Sequence, residues 1–337
     1  MNASRLRRRL MISMVFGIIV FAALVAYGDA RKMGSSLGDF RWELAPLILG
    51  IAMGNYLLRF VKWHYYLGKV GVTGLSLGNS FLIYMSGLGM TITPGKVGEW
   101  LKCYLLRDVH GTPVTRSTPI LLAERLTDAL GLMILATIGV IAFERQTWPI
   151  VAVVVLGSAV TVAISRHRRL SGRLLASAGR LPVVGRFTTQ IDEMSESNYL
   201  LMDPVGVVLM TLLSVAAWGT QVVAFYLVLI GLDVHAGADT FARASFILPI
   251  STLAAALLLL PGGLGVAETG ITSLSESLLD LGRSTASAAT LIIRIATLWF
   301  AVLLGLIALA IVLRRTPAPV PEETRSEPLL VPSGSAR

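Results

Sequence analysis

The sequence predicts an all-α integral membrane protein of about six transmembrane helices plus two oppositely oriented re-entrant hairpins that form an inverted repeat. Three observations predict it. Of the 337 residues, 54% are hydrophobic and only 15% charged, with a mean hydropathy of +0.72, far outside the range of soluble domains. Apolar runs long enough for a hydrocarbon core of roughly 30 Å recur along the chain. Two of those runs are interrupted by the same helix-breaking pattern, P-G-x-x-G.

The apolar run 10–26 follows Arg5, Arg7, Arg8 and Arg9, so residues 1–9 read as a basic cytoplasmic N-terminus. The run is read as an uncleaved span, because "VAYGDARK" is a weak signal-peptide cleavage site. The span 44–60 returns to Lys62 and Lys69, with Arg59 read as an anchor snorkelling to the interface and Trp63, Tyr65 and Tyr66 as an aromatic belt. The spans 118–143 and 149–164 cross out and back into a loop, 166–202, that carries Arg166, Arg168, Arg169, Arg173, Arg180 and Arg186. Apolar positions among those arginines suggest an amphipathic segment at the cytoplasmic interface. The spans 204–232 and 286–313 complete the count, and Arg314 and Arg315 put the last end inside. The polytopic domain is thus 10–315. The tail 316–337, rich in Pro, Ser and Glu, reads as disordered and cytoplasmic.

The net charge of +9 is therefore a topology signal rather than a nucleic-acid footprint. Cys103 is the only cysteine, which excludes an intrachain disulfide, and the four histidines are scattered without metal-ligand spacing. No nucleophile triad or nucleotide-binding loop is present. We expect no enzyme activity, no cofactor, no metal and no nucleic-acid partner.

The two breaks are "TPGKVGEW" and "LPGGLGVAETG". Backbone that leaves helical geometry within hydrocarbon exposes polar groups at a cost of several kcal/mol each, so it is tolerated only around a cavity or inside protein. Pro94, Gly95 and Gly98, and Pro261, Gly262, Gly263 and Gly265, are read as the tips of hairpins that enter and leave on one side. Helices beginning near Lys96 and Gly265 would point free N–H groups, and in the first case a full positive charge, at an anion.

The flanks extend the likeness. A glutamate follows each break, Glu99 and Glu268, and 26 residues beyond each stands an arginine within an apolar span, Arg125 and Arg294. The copies differ by a two-residue insertion between break and glutamate. Repeat 1 covers about 75–143 and repeat 2 about 241–313, and the odd number of spans between the breaks makes them inverted. A charge inside a span costs roughly 2.5 to 3.5 kcal/mol on insertion scales, so each must face a partner or a wet cavity. Lys96, Glu99, Arg125, Asp128, Glu268 and Arg294 are the candidate substrate-binding residues, supported by Glu124. In one reading Arg125 and Arg294 hold an anionic headgroup. In the other, Glu99 with Arg125 and Glu268 with Arg294 are ion pairs that lock hairpin to span.

"TPGKVGEWLKCYLLR", "AERLTDALGLMILA" and "LPGGLGVAETG", in that order, resemble the flippase-like transmembrane region of bacterial lysylphosphatidylglycerol synthases and its stand-alone relatives, over roughly residues 10–315. The resemblance implies movement of a lipid between leaflets of a bacterial inner membrane, through a site built on Pro94, Gly95, Gly98, Glu99, Glu124, Arg125, Asp128, Pro261, Gly262, Gly263, Gly265 and Glu268. Residues 316–337 are too few for a synthase domain, so aminoacyl transfer is not implied.

The expected function is a lipid flippase or transporter acting on an anionic or zwitterionic phospholipid or glycolipid headgroup. It would be driven by a lipid or ion gradient or the membrane potential. Two rivals stand beside it. One is a secondary transporter of a small soluble anion, with a cavity sealed from lipid. The other is a non-transporting scaffold that holds a separate lipid-synthesising enzyme through 166–202.

Overall fold

A computed structural model describes residues 15, 17–93, 98–143, 201, 203–258 and 261–315. The N-terminus 1–9, the first tip 94–97 with Pro94, Gly95 and Lys96, the span 149–164, nearly all of 166–202 and the tail 316–337 lie outside the described residues.

The described chain is helical throughout and builds an integral membrane protein. Its helices are α1 (Gly17–Tyr27), α2 (Ala30–Gly38), α3 (Ala45–Lys69), α4 (Leu77–Gly89), α5 (Leu101–His110), α6 (Val114–Phe143), α7 (Pro204–Gly231), α8 (Ala238–Leu257), α9 (Val266–Leu278) and α10 (Arg283–Arg315). Among the described residues, α3, α6, α7, α8 and α10 are long and apolar enough to cross a membrane. Sequence patterning expected α8 to be a hairpin arm. At 20 residues it is about 30 Å long, enough by length alone to span, so its length does not separate the two descriptions.

Local chemistry sets the helix ends. Asp203 caps α7 by accepting from the Gly206 N–H at 2.8 Å, with Pro204 at the first helical position where its missing N–H costs nothing. Ser76 caps α4 through the Asn79 N–H, and α5 stops at Gly111 in the left-handed conformation. In α10 the helix widens by one π-helical segment over Ile295–Trp299, directly after Arg294.

Polar contacts orient the helices. At one end Lys69, closing α3, bonds Asp203 at 2.9 Å, and the His110 ring at the end of α5 meets the Thr73 carbonyl at 2.8 Å. At the other end Arg41 pairs with Asp233, and the Arg41 N–H reaches the Gly231 carbonyl at 3.0 Å. There α9 returns to the start of α8, where the Arg243 guanidinium bonds the Leu278 carbonyl. The chain turns back between α4 and α5 and again between α8 and α9, where α5 packs on α4 and α9 on α8. Their packing is reciprocal: α4 lies along the C-terminal half of α10, and α8 lies along α6.

The breaks themselves meet. The Gly262 N–H donates to the Thr91 carbonyl at 3.0 Å, which ties the tip of the second reversal to the entrance of the first. Gly262 has φ 58°, a conformation open to glycine without steric cost. At Gly98 the reason is space, since a Cβ there would collide with the Met90 carbonyl and the Thr93 hydroxyl. The first helix after a break starts later than the sequence suggested. A single 3₁₀ turn over 98–100 precedes α5, so the helix proper begins at Leu101 rather than near Lys96.

Candidate functional site

Glutamate and arginine pair across both breaks. Glu99 Oε2 lies 2.8 Å from Arg125 Nη2, joining the turn before α5 to α6. Glu268 Oε1 lies 2.6 Å from Arg294 Nε, joining α9 to α10. The equal 26-residue spacing thus corresponds to a glutamate–arginine ion pair at each break. Arg294 also donates Nη2 to the Gly262 carbonyl at 2.7 Å, and Glu268 Oε2 accepts from the Gly265 N–H at 2.7 Å. These bonds satisfy polar backbone at the break, which would otherwise be left unpaired.

Two expectations about anion sites change here. The Gly265 N–H at the start of α9 is already used by Glu268, and the Gly98 N–H donates to Thr93 Oγ1 at 2.7 Å. The N–H groups at the two glycines are therefore capped from within the chain.

Asp128 does not pair with Arg125 or Arg294. It accepts from Lys62 Nζ through Oδ1 and from Arg59 Nη2 through Oδ2 at 3.0 Å. Lys62 Nζ also donates to Ser214 Oγ at 2.6 Å and Thr127 Oγ1 at 3.2 Å, a cage of three oxygens around one ammonium. Glu124 pairs with Lys102, whose ammonium sits 4.5 Å from the centre of the Trp63 ring.

Arg59 is accordingly not an interfacial anchor. Its side chain is 13% exposed, lies 5.3 Å over the Trp218 ring and is tied to Asp128. Lys62 is 1% exposed, and Trp63 and Tyr66 are core residues rather than an aromatic belt. The signal was available in the sequence. Ala52, Asn55, Tyr56, Arg59, Lys62, Trp63 and Tyr66 recur at three- and four-residue steps, so they share one face of α3. A positive-inside count assigned those cations to a loop before asking which face they occupy. Lys102 was missed for the same reason.

Some of these groups line a cavity of about 620 Å³ between the two breaks, α3, α6, α7, α8 and α10. Arg59, Glu99, Arg125, Asp128 and Arg294 line it, with Trp218, Gln221, Thr91 and the Gly262 and Gly263 backbone. The remaining lining is mostly apolar. Leu122, Leu257 and Trp100 are part of that lining and are themselves exposed. Among the candidates, Glu99, Arg125, Asp128 and Arg294 reach the cavity, Glu268 stands behind Arg294, and Glu124 faces Lys102.

Three buried polar atoms of residues lining the cavity have no hydrogen-bond partner among the described residues, Glu99 Oε1, Arg125 Nε and Trp218 Nε1. Unsatisfied polar atoms of this kind cost about 1 to 3 kcal/mol each and mark a place where a further group belongs. No group of three or more metal-ligating side chains occurs among the described residues, and Cys103 is buried and free.

Comparison with known proteins bears on the same stretch of chain. A UPF0104 membrane protein of Methanothermobacter thermautotrophicus is 25% identical over 326 residues, covering 89% of this chain and 90% of that protein. A family model described as Lysylphosphatidylglycerol synthase TM region matches residues 14–305, which contain both breaks and every charged residue of the cavity wall, and the chain belongs to that family.

Proposed function

We propose that this chain moves a lipid headgroup between membrane leaflets through the cavity between the two breaks. In this account the reversals α4–α5 and α8–α9 are re-entrant hairpins of an inverted repeat, entering from the cytoplasmic and outer sides of a cell's inner membrane, with both termini cytoplasmic. The protein relocates its substrate without reacting it.

The observation that carries the proposal is the two-sided character of the cavity. Its lining joins charged side chains to apolar ones, of which Leu122, Leu257 and Trp100 are exposed. A headgroup can occupy the wall while acyl chains remain outside past those side chains. A carrier of small soluble anions needs a cavity closed to lipid, and the exposed leucines in its lining oppose that reading. The volume falls in the ordinary range of ligand sites, roughly 300 to 1,000 Å³.

The test is reconstitution into vesicles carrying a fluorescent lipid in both leaflets, followed by quenching from outside with a membrane-impermeant reductant. Protein-dependent loss of the protected half is expected. Quenching no different from protein-free vesicles for phospholipids and glycolipids alike would remove the transport reading and favour the scaffold.

A further inference from the structure

The charged interior does not balance. Among its described residues, Arg59, Lys62, Lys102, Arg125 and Arg294 face Asp128, Glu99, Glu124 and Glu268, five cations against four carboxylates. Three of the pairings are one to one. The surplus is at Asp128, which Lys62 and Arg59 share. At the tips that lie outside the described residues, 94–97 and 259–260, the only charged side chain is Lys96, which is also positive.

The two cations on Asp128 are not equivalent. Lys62 is enclosed by Asp128, Ser214 and Thr127 and does not line the cavity. Arg59 lines it. The Arg59 guanidinium spends one N–H on Asp128 Oδ2 and lies over the Trp218 ring, and among the described residues its other N–H groups have no protein acceptor. A planar guanidinium with free donors, held in place by a carboxylate and a neighbouring ring, is the group best suited to grip an oxyanion through two parallel bonds. On the same wall, the unpartnered Glu99 Oε1 is an acceptor looking for a donor.

We infer that Arg59 is the anion anchor of the cavity and that the site selects a headgroup with one net negative charge and a hydroxyl or amine donor, the anion on Arg59 and the donor on Glu99. This rests on the lipid reading for its source and moves the anion from the helix starts and Arg125, whose charge Glu99 already matches, to Arg59. A phosphodiester bearing a polyol has the required chemistry. A phosphocholine has neither the net charge nor the donor.

The experiment is a titration of the purified full chain followed by tryptophan fluorescence, since Trp218 lies beneath Arg59 and Trp100 lines the cavity. Dihexanoylphosphatidylglycerol is expected to change the emission saturably and to bind at least tenfold more tightly than dihexanoylphosphatidylcholine. Arg59→Gln is expected to lose at least tenfold in affinity for the former and little for the latter, with thermal stability unchanged or raised, because it removes the surplus buried charge. Arg59→Lys keeps the charge and is expected to fall between. Equal affinity of the wild type for the two lipids would overturn the inference, and this comparison stands even if no variant folds. So would wild-type affinity in Arg59→Gln. Glycerol phosphate and inorganic phosphate are titrated alongside. If they bind as tightly as the lipid and no leaflet exchange occurs, the Arg59 assignment stands and the lipid reading falls. If exchange occurs and Arg59→Gln leaves it and the binding unchanged, the Arg59 assignment falls alone.

Discussion

The two break regions share a sequence pattern and a glutamate–arginine pair, yet they differ in how completely that pair is satisfied. At the second break Glu268 uses both oxygens, on Arg294 and the Gly265 N–H, and Arg294 reaches both Glu268 and the Gly262 carbonyl. The side chains are 2% and 13% exposed. At the first break Glu99 and Arg125 share a single contact, are 9% and 36% exposed, and keep one unpartnered atom each. The second unit is built as a lock that holds a tip against α10. The first is an incomplete version of the same lock, open to the cavity. Equal spacing therefore covers one pair closed within the fold and one left incomplete, a division that spacing alone cannot make.

The largest expected effect follows from the closed pair. Arg294→Ala strands Glu268 and the Gly262 carbonyl together, and breaking a buried pair of this kind costs about 3 to 5 kcal/mol. A drop of that size in thermal or denaturant stability in detergent is expected. A variant as stable as wild type would erase the distinction between the two breaks. Arg125→Ala should be milder, about 1 to 2 kcal/mol, because a single contact is lost and the arginine is partly exposed. Its effect should appear in lipid exchange instead, with at least a tenfold loss.

How much of this was legible in the sequence follows from what each residue's signal depends on. The spans, the breaks and both glutamate–arginine spacings are written in composition and interval, so Glu99, Arg125, Glu268 and Arg294 could be named at once. Arg59, Lys62 and Lys102 could not be placed by counting basic residues near span ends. Their burial is decided by which face of α3 or α5 they occupy and by carboxylates of α6, Asp128 and Glu124, far away in the chain. The expectation of an open helix start at Gly265 failed for a related reason. Spacing showed that Glu268 follows the break, but only the fold shows it turning back to accept from Gly265.

Gly98→Ala sharpens the comparison at a smaller scale. The added methyl must displace the Met90 carbonyl or the Thr93 hydroxyl, an overpacking cost of about 1 to 3 kcal/mol. It should loosen the first break without touching the second. Stability and exchange both at wild-type level would mean that the close approach of 98 to 90 is not maintained.

The smallest effect lies outside both breaks, at the half-exposed pair of Lys69 and Asp203. The bond from Lys69, and then the N–H of Gly206, hold the Asp203 carboxyl below its ordinary value of 3.8. A depressed carboxylate contributes stability that is present above that ordinary value and is lost as pH falls through the folded one. Asp203→Asn keeps the helix cap and removes the charge. It should lower stability at neutral pH by about 0.5 kcal/mol or less, since solvent screens the pair, and the difference should vanish in acid. A difference that grows on acidification would contradict the assigned cause.

The central claim is tested most directly by leaflet exchange in vesicles loaded with equal folded amounts of wild type, Arg125→Ala and Glu99→Gln, using fluorescent phosphatidylglycerol. The account predicts rapid exchange for wild type and at least tenfold slower exchange for both variants at near-native stability. Wild-type rates in both variants, or no exchange by the wild-type protein, would contradict it.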